Sequence, residues 1–272
     1  MPVAAVIGHP VGHSLSPALH NAAFAAAGLG WTYVAFDVAP GAAAAALDAV
    51  RVLGIGGLSV TMPHKEAVAA AVDELAPAAA ALRSVNTVVR GAGSTLVGHS
   101  TDGDGFVASL AAAGVEVAGA AIAVVGAGAA ARSVVDALGR AGAADVVVVN
   151  RTPARAQDAA ALAAAGRVGA PADVRDAGIV VNATSIGMGT DELPFDPALL
   201  RAGQVVADLV YHPLETALLR AARHAGCQVV DGLGMLVHQA VLQQVLWTGV
   251  HPDPAVLRAA AEAELARRAA PA

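Results

Sequence analysis

Apolar and polar positions along the chain follow two rhythms. Residues 3–7 form a short, wholly apolar run that stops at Gly8-His9-Pro10, the pattern of a strand covered on both faces. Pro17 then opens a helical stretch to about residue 27, closed by Gly28. Residues 31–38 predict a second strand, 42–53 a helix, and 58–60 a third strand ending at Thr61-Met62-Pro63. Residues 87–90 and 95–99 flank Gly91-Ala92-Gly93, a hairpin signal. The first hundred residues therefore predict an α/β unit with an antiparallel edge.

A second unit begins near Asp102. Residues 121–125 predict a strand, followed by a turn at Gly126, a helix to about residue 141 and a strand at 145–149. Further strands are expected at 179–182, 205–209 and 228–230, with a weaker signal near Val168. Helix-length spacers between such strands imply βαβ units and a parallel sheet. After Asp231 the strand signals stop, and residues 235–247 and 254–268 read as helices. The expected organisation is α/β throughout. An N-terminal α/β domain (1–101) is joined to a doubly wound, Rossmann-type domain (102–236), with a cleft between them and C-terminal helices (237–272) after the last strand.

Composition narrows the class. The chain has 272 residues, 56% of them hydrophobic but only 3% aromatic, so its cores are filled by Val, Leu, Ile and Ala. Alanine runs such as 42–46 and 78–81 suit helices. A net charge of −6, with no basic stripe interleaved with aromatics, argues against a nucleic-acid partner. No apolar run is long enough to span a bilayer. The start lacks a basic n-region, and the lone Cys227 cannot form an internal disulfide, so a cytoplasmic setting is expected. The nine histidines are scattered without ligand spacing, so no metal site is expected. No coiled-coil repeat decides between monomer and homodimer.

Candidate chemistry begins at residues 126–131, which read Gly-Ala-Gly-Ala-Ala-Ala. This is GxGxxA between a strand and a helix, the context a dinucleotide fingerprint requires. Gly126 permits the tight turn, Gly128 the close approach of backbone to pyrophosphate, and Ala131 close helix–sheet packing. Ala127, Ala129 and Ala130 supply further backbone around the phosphates at a helix N-terminus. NAD enzymes usually carry Asp or Glu after the next strand. Here Asn150-Arg151-Thr152 stands there, with Arg155 one turn on. Guanidinium groups suit a 2′-phosphate, so NADP is expected. Arg155 reads equally well as a solvated helix charge.

Polar residues also gather at the strand ends of the first unit, where open α/β sheets bind ligands. The clusters include Ser14 and Ser16, Thr61 and Lys65, Asn86, and Asp102. Together they suit a polyhydroxylated carboxylic acid. Each alone has a blander reading: Ser16 as a helix cap, Lys65 as a surface charge, Asp102 as an Asp-Gly turn residue.

The motifs HSLSPALHN (13–21), VTMPHKE (60–66), SVNTV (84–88), TDGDGF (101–106), GAGAAAR (126–132), NRT (150–152), NATSIGM (182–188) and DGLGMLVHQA (231–240), in this order, resemble the shikimate dehydrogenase family. The resemblance runs from about Gly8 to Trp247. It implies reduction of 3-dehydroshikimate to shikimate with NADPH, in the route through chorismate to the aromatic amino acids. It matches Ser14 and Ser16 to the substrate carboxylate, and Thr61, Asn86 and Gln239 to ring hydroxyls. Lys65 and Asp102 match the catalytic pair, and Tyr211 a tyrosine near the carboxylate. Thr184 and Met188 fall in the segment lining the cofactor pocket, and Gly232 and Met235 near the nicotinamide. It also implies that the C-terminal helices return to the first domain. Ser100 departs from the asparagine usual before the Thr-Asp pair.

Two rivals stand beside this reading. A relative using quinate would need room for one more hydroxyl. A non-catalytic NADPH-binding regulator would have lost Lys65 or Asp102, and both are present. Gly103, Gly105, Gly232 and Gly234 read as hinge positions or as ordinary turns.

Overall fold

The computed structural model describes residues 1–269. The chain divides into two compact units. One comprises Met1–Thr101 with the described residues from Val237 onward, and the other Asp102–Leu236.

The first unit is built on β1 (Val3–Gly8), α1 (Ser16–Ala26), β2 (Thr32–Asp37), α2 (Ala43–Leu53), β3 (Gly57–Val60), α3 (Lys65–Ala69), β4 (Glu74–Leu75), α4 (Pro77–Leu82), β5 (Thr87–Arg90) and β6 (Leu96–His99). Its sheet runs in the order β2-β1-β3-β5-β6-β4. Strands β1, β2 and β3 are parallel, and β5 is antiparallel to both β3 and β6. The antiparallel strand is thus internal, which corrects the expected antiparallel edge. The outer position belongs to β4, a two-residue strand parallel to β6 and too short to leave a periodic signal. One face is filled by Leu47, Val50, Leu58, Val68 and Leu96 among others, the other by Val6, Phe24 and Tyr33.

The second unit contains α5 (Asp102–Ala112), β7 (Ala121–Val125), α6 (Ala129–Arg140), β8 (Asp145–Val149), α7 (Pro153–Ala160), β9 (Gly166–Val168), β10 (Ile179–Asn182), β11 (Val205–Asp208), α8 (Ala217–His224) and β12 (Gln228–Val230). All six strands are parallel, in the order β12-β11-β10-β7-β8-β9. The order reverses between β7 and β10, so the sheet is doubly wound. Apolar layers cover both faces, as the continuous Val and Ile runs require.

Helix α9 (Gly232–Thr248) begins in the second unit and ends in the first, where α10 (Pro254–Ala269) follows and packs along α1. Two of the glycines read as hinges or turns, Gly103 and Gly232, have another use. A Cβ on Gly103 would lie 2.0 Å from the Ser133 carbonyl oxygen, and one on Gly232 would lie 2.6 Å from the Leu209 and Val210 carbonyl oxygens. Gly103 lies within α5 and Gly232 opens α9, so close packing rather than a turn demands glycine. Among the described residues no helix is long and apolar enough to cross a membrane, and no group of three or more His, Cys, Asp or Glu residues could hold a metal ion.

Candidate active site

In the second unit, three of the segments proposed for cofactor meet at the C-terminal edge of the sheet, beside the reversal of strand order. Gly126 follows β7 with φ of +118°, a region that favours glycine. Its N–H donates to the Val149 carbonyl at 2.8 Å, and an added Cβ would lie 2.8 Å from the Ala183 carbonyl oxygen. The turn is therefore wedged between the ends of β8 and β10. Gly128 differs: its φ is −79°, and an added Cβ would meet nothing within 4 Å. Gly128 and Ala129 are exposed, whereas Ala131 is fully buried against the sheet. Helix α6 starts at Ala129 with no side-chain cap, so its first N–H groups face outward over an open glycine cradle. A bound diphosphate fits that arrangement.

Asn150, Arg151 and Thr152 follow β8. The Asn150 side chain donates to the Thr152 carbonyl at 3.1 Å, fixing the bend, while Arg151, Thr152 and Arg155 are exposed. Thr184 follows β10. Its hydroxyl donates to Asn182 Oδ1 at 2.7 Å and accepts from the Ile186 N–H at 3.1 Å. Asn182 in turn donates to Asp208 Oδ1 at 2.9 Å, and Thr216 donates to Asp208 Oδ2 at 2.7 Å. Burial pushes the Asp208 carboxyl above the usual range, against those hydrogen bonds. Met188 is 56% exposed and Met235 packs partly into the core. Tyr211 is half-buried just beyond β11, and Asp102 is buried as the first residue of α5, a helix start rather than a turn.

In the first unit, the polar clusters lie together at one edge of the sheet. Strands β1 and β3 end side by side: the Thr61 N–H donates to the Ile7 carbonyl and the His9 N–H to the Met62 carbonyl, both at 2.9 Å. Antiparallel β5 starts where β3 ends, with Ser59 opposite Thr87 and the Val60 N–H donating to the Asn86 carbonyl at 2.7 Å. This brings the loop after β1 (Ser14, Ser16), the loop after β3 (Thr61, Lys65) and the start of β5 (Asn86) to one edge. Lys65 is the first residue of α3, held by the Val85 N–H on its carbonyl at 3.0 Å. Next to it, buried His64 donates through Nε2 to the Val38 carbonyl at 2.8 Å. Ser16 opens α1 without capping it. The cap position is Leu15, and the Ser16 N–H instead donates to Ser14 Oγ at 3.2 Å. From α10, Arg268 donates to the carbonyls of His13 and Ser14 at 2.6 and 3.1 Å, holding that loop.

Behind this edge lies a buried polar network that sequence reasoning missed. Tyr33 donates to Ser59 at 2.6 Å, and Ser59 donates to Gln243 Oε1 at 2.8 Å. Gln243 Nε2 donates to Thr87 at 2.9 Å and to the Asn86 carbonyl at 3.3 Å. Thr87 donates to Asn86 Oδ1 at 2.8 Å. Every member is buried, and no buried side-chain polar atom among the described residues lacks a partner. The available signal was two adjacent glutamines, Gln243 and Gln244, in a mostly apolar helix one turn beyond Gln239. Polar side chains on a buried face must be paired.

His20 belongs to the same network. It stacks on Tyr33 with ring centroids 4.3 Å apart, lies 5.2 Å from Trp247 and 6.1 Å from Phe24, and is fully buried. Gln244 Nε2 donates to its Nδ1 at 3.1 Å, so Nε2 carries the proton and donates to Gln243 Oε1 at 3.2 Å. Burial among these neutral groups depresses its pKa to about 3, against a partial rise from Gln243. Between pH 6.5 and about 3 the unfolded chain binds a proton that the folded chain refuses. The resulting stability is whole above pH 6.5 and is lost as pH falls toward 3, up to on the order of 5 kcal/mol. Urea midpoints should fall steeply over this range, and less steeply in His20→Gln. Parallel curves for the two proteins would contradict the assignment.

Known proteins resemble this chain along nearly its whole length. Residues 6–88 match the family model described as the shikimate dehydrogenase substrate binding domain. Residues 109–185 match that of shikimate / quinate 5-dehydrogenase, and residues 232–262 the shikimate 5'-dehydrogenase C-terminal domain. The shikimate dehydrogenase (NADP(+)) of Moorella thermoacetica is 47% identical over 266 residues, covering 93% of this chain and 90% of the relative. The crystal structure of shikimate 5-dehydrogenase from Thermus thermophilus in complex with NADP(H) and shikimate aligns with a TM-score of 0.92 at 39% identity, covering 97% and 99% of the two chains. A 5-ketofructose reductase from a Gluconobacter strain aligns almost as well, with a TM-score of 0.91 at 34% identity over 97% and 98%. The fold alone thus does not name a substrate. Identity at this level over nearly the full length does name the family: the chain belongs to the shikimate dehydrogenases.

Proposed function

We propose that this chain catalyses the reversible NADPH-dependent reduction of 3-dehydroshikimate to shikimate, a step toward chorismate and the aromatic amino acids. The observation that carries the reading is the gathering of Ser14, Ser16, Thr61, Lys65 and Asn86 at one sheet edge. Residues 1–101 would bind substrate and residues 102–236 the cofactor, with residues 237–272 returning Gln239 to the substrate domain. A cytoplasmic setting is consistent with a lone cysteine.

Bound NADPH supplies a hydride to the ketone carbon. As the ketone oxygen gains charge, the Lys65 ammonium stabilises it and delivers a proton from Nζ. In the oxidising direction the neutral amine takes that proton back. Asp102 is the second member of the catalytic pair, its carboxylate orienting the ammonium. Ser14 and Ser16 hydroxyls hold the substrate carboxylate, aided by Tyr211, while Thr61, Asn86 and Gln239 bind the ring hydroxyls. Gly126 and Gly128 shape the diphosphate cradle, with Ala127, Ala129 and Ala130 giving backbone N–H groups. Asn150, Arg151, Thr152 and Arg155 receive the 2′-phosphate. Thr184 and Met188 line the cofactor pocket, and Gly232 and Met235 lie toward the nicotinamide.

The test is a comparison of kcat/KM for shikimate and quinate, each with NADP and NAD. Shikimate with NADP should lead, and a clear preference for quinate with NAD would overturn the reading. Arg151→Ala should raise the KM for NADP about 10-fold, the worth of one charge-assisted phosphate contact, and leave that for NAD nearly unchanged. An equal effect on both cofactors would remove Arg151 from the phosphate site.

A further inference from the structure

We infer that Gln243 is a positioning residue, tying the helix that carries Gln239 to the strand start that carries Asn86. The inference rests on the functional reading above, because it concerns residues proposed to bind substrate. Two backbone groups fix the sense of every hydrogen bond in the network. The Asn86 carbonyl can only accept, so the amide of Gln243 must turn its Nε2 toward β5 and its Oε1 toward Ser59 and His20. The Thr101 N–H can only donate, at 2.8 Å, so Asn86 must turn its Oδ1 toward Thr101. Thr87, which accepts from Gln243 Nε2, sends its own proton to the same Oδ1.

Two protein donors therefore occupy Asn86 Oδ1, and the amide acts elsewhere through Nδ2, which reaches Thr101 Oγ1 at 2.9 Å. On the other side the relay runs from Gln243 through Ser59 to Tyr33, whose hydroxyl also hydrogen-bonds Ser16. Gln243 is 1% exposed, and its amide joins β3, α1 and the start of β5 to α9. Gln239 is one turn earlier on the same helix face, also buried. The spacing between two substrate-binding side chains from distant parts of the sequence is thereby set by one amide.

The test uses Gln243→Met, which keeps the length and removes the polar ends, and Thr87→Val, which removes only the relay hydroxyl. Thr87→Ser restores it. Both disruptive variants should raise the KM for shikimate about 10-fold, the loss of one hydrogen bond to a fixed partner, with the KM for NADP within about twofold of wild type. Thr87→Ser should return near wild type. In an Asn86→Ala background, Thr87→Val should add less than its own factor, because the two act through one group. Lower thermal stability with an unchanged KM for shikimate would overturn the inference, as would full multiplication of the two effects. Should Gln243→Met fail to fold, Thr87→Val alone decides it. A wild type inactive on both shikimate and quinate would instead sink the functional reading. Turnover of either substrate with unshifted variants would sink only the role of Gln243.

Discussion

Replacing Lys65 with alanine is expected to lower kcat about a thousandfold while shikimate binding changes little. The size follows from the role: a positioned acid–base group is worth roughly 10²–10⁴-fold. The position supports it. Lys65 opens α3 at the sheet edge where the loops after β1 and β3 meet, with its backbone carbonyl held by the Val85 N–H. Removing the side chain leaves those backbone contacts, and leaves Ser14, Ser16 and Asn86 to bind the acid. Steady-state turnover combined with calorimetric titration of shikimate separates the two effects. Turnover near wild type would remove Lys65 from the chemistry. Lost binding with little change in kcat would make it a substrate anchor instead.

The second large effect is expected at Gly126, and its neighbour supplies the control. Gly126→Val places a branched side chain at φ of +118° and within 2.8 Å of a backbone oxygen of Ala183, so the turn must shift. Strain of about 1–3 kcal/mol at such a position should lower thermal stability and weaken NADP binding together, the latter by roughly 10–100-fold. Gly128→Ala meets no protein atom, and its backbone suits any residue. It should leave thermal stability unchanged and still weaken NADP, because the only thing its methyl can meet is a ligand. Melting curves with and without NADP distinguish the two sites. If Gly128→Ala binds NADP as well as wild type, the diphosphate does not pass over that glycine.

How much could be read from the chain depended on how locally each feature was determined. The βαβ turn at 121–140 was legible because an apolar run, a glycine turn and an amphipathic helix follow one another within twenty residues. The strands at 179–182 and 228–230 were legible as short apolar runs. Short elements were not: α3, β4 and α4 span five, two and six residues and carry no periodic signature. The internal place of β5 was also hidden, since it depends on β5 pairing with β3 as well as with β6, a register no local pattern carries.

Among site residues, motifs pointed to Lys65, Asn86 and Gln239 but passed over what holds them. Gln243, Ser59 and Tyr33 lie far apart in sequence, and only the register of β3 against β5 and the approach of α9 join them. Ser16 shows the opposite error. A serine before proline reads as a helix cap, yet the helix starts one residue earlier than that reading needs, and the hydroxyl reaches Tyr33 instead. The close-packed glycines Gly103 and Gly232 look like turn residues in sequence, because what excludes a side chain there is a carbonyl from another segment.

The central claim, that this chain exchanges a hydride between NADP and the ring alcohol of shikimate, is tested most directly by mixing the purified protein with NADP and shikimate and following the absorbance of NADPH. The account predicts steady NADPH formation that depends on both compounds and is abolished by Lys65→Ala. No NADPH from shikimate, under conditions where the folded protein binds NADP, would contradict it.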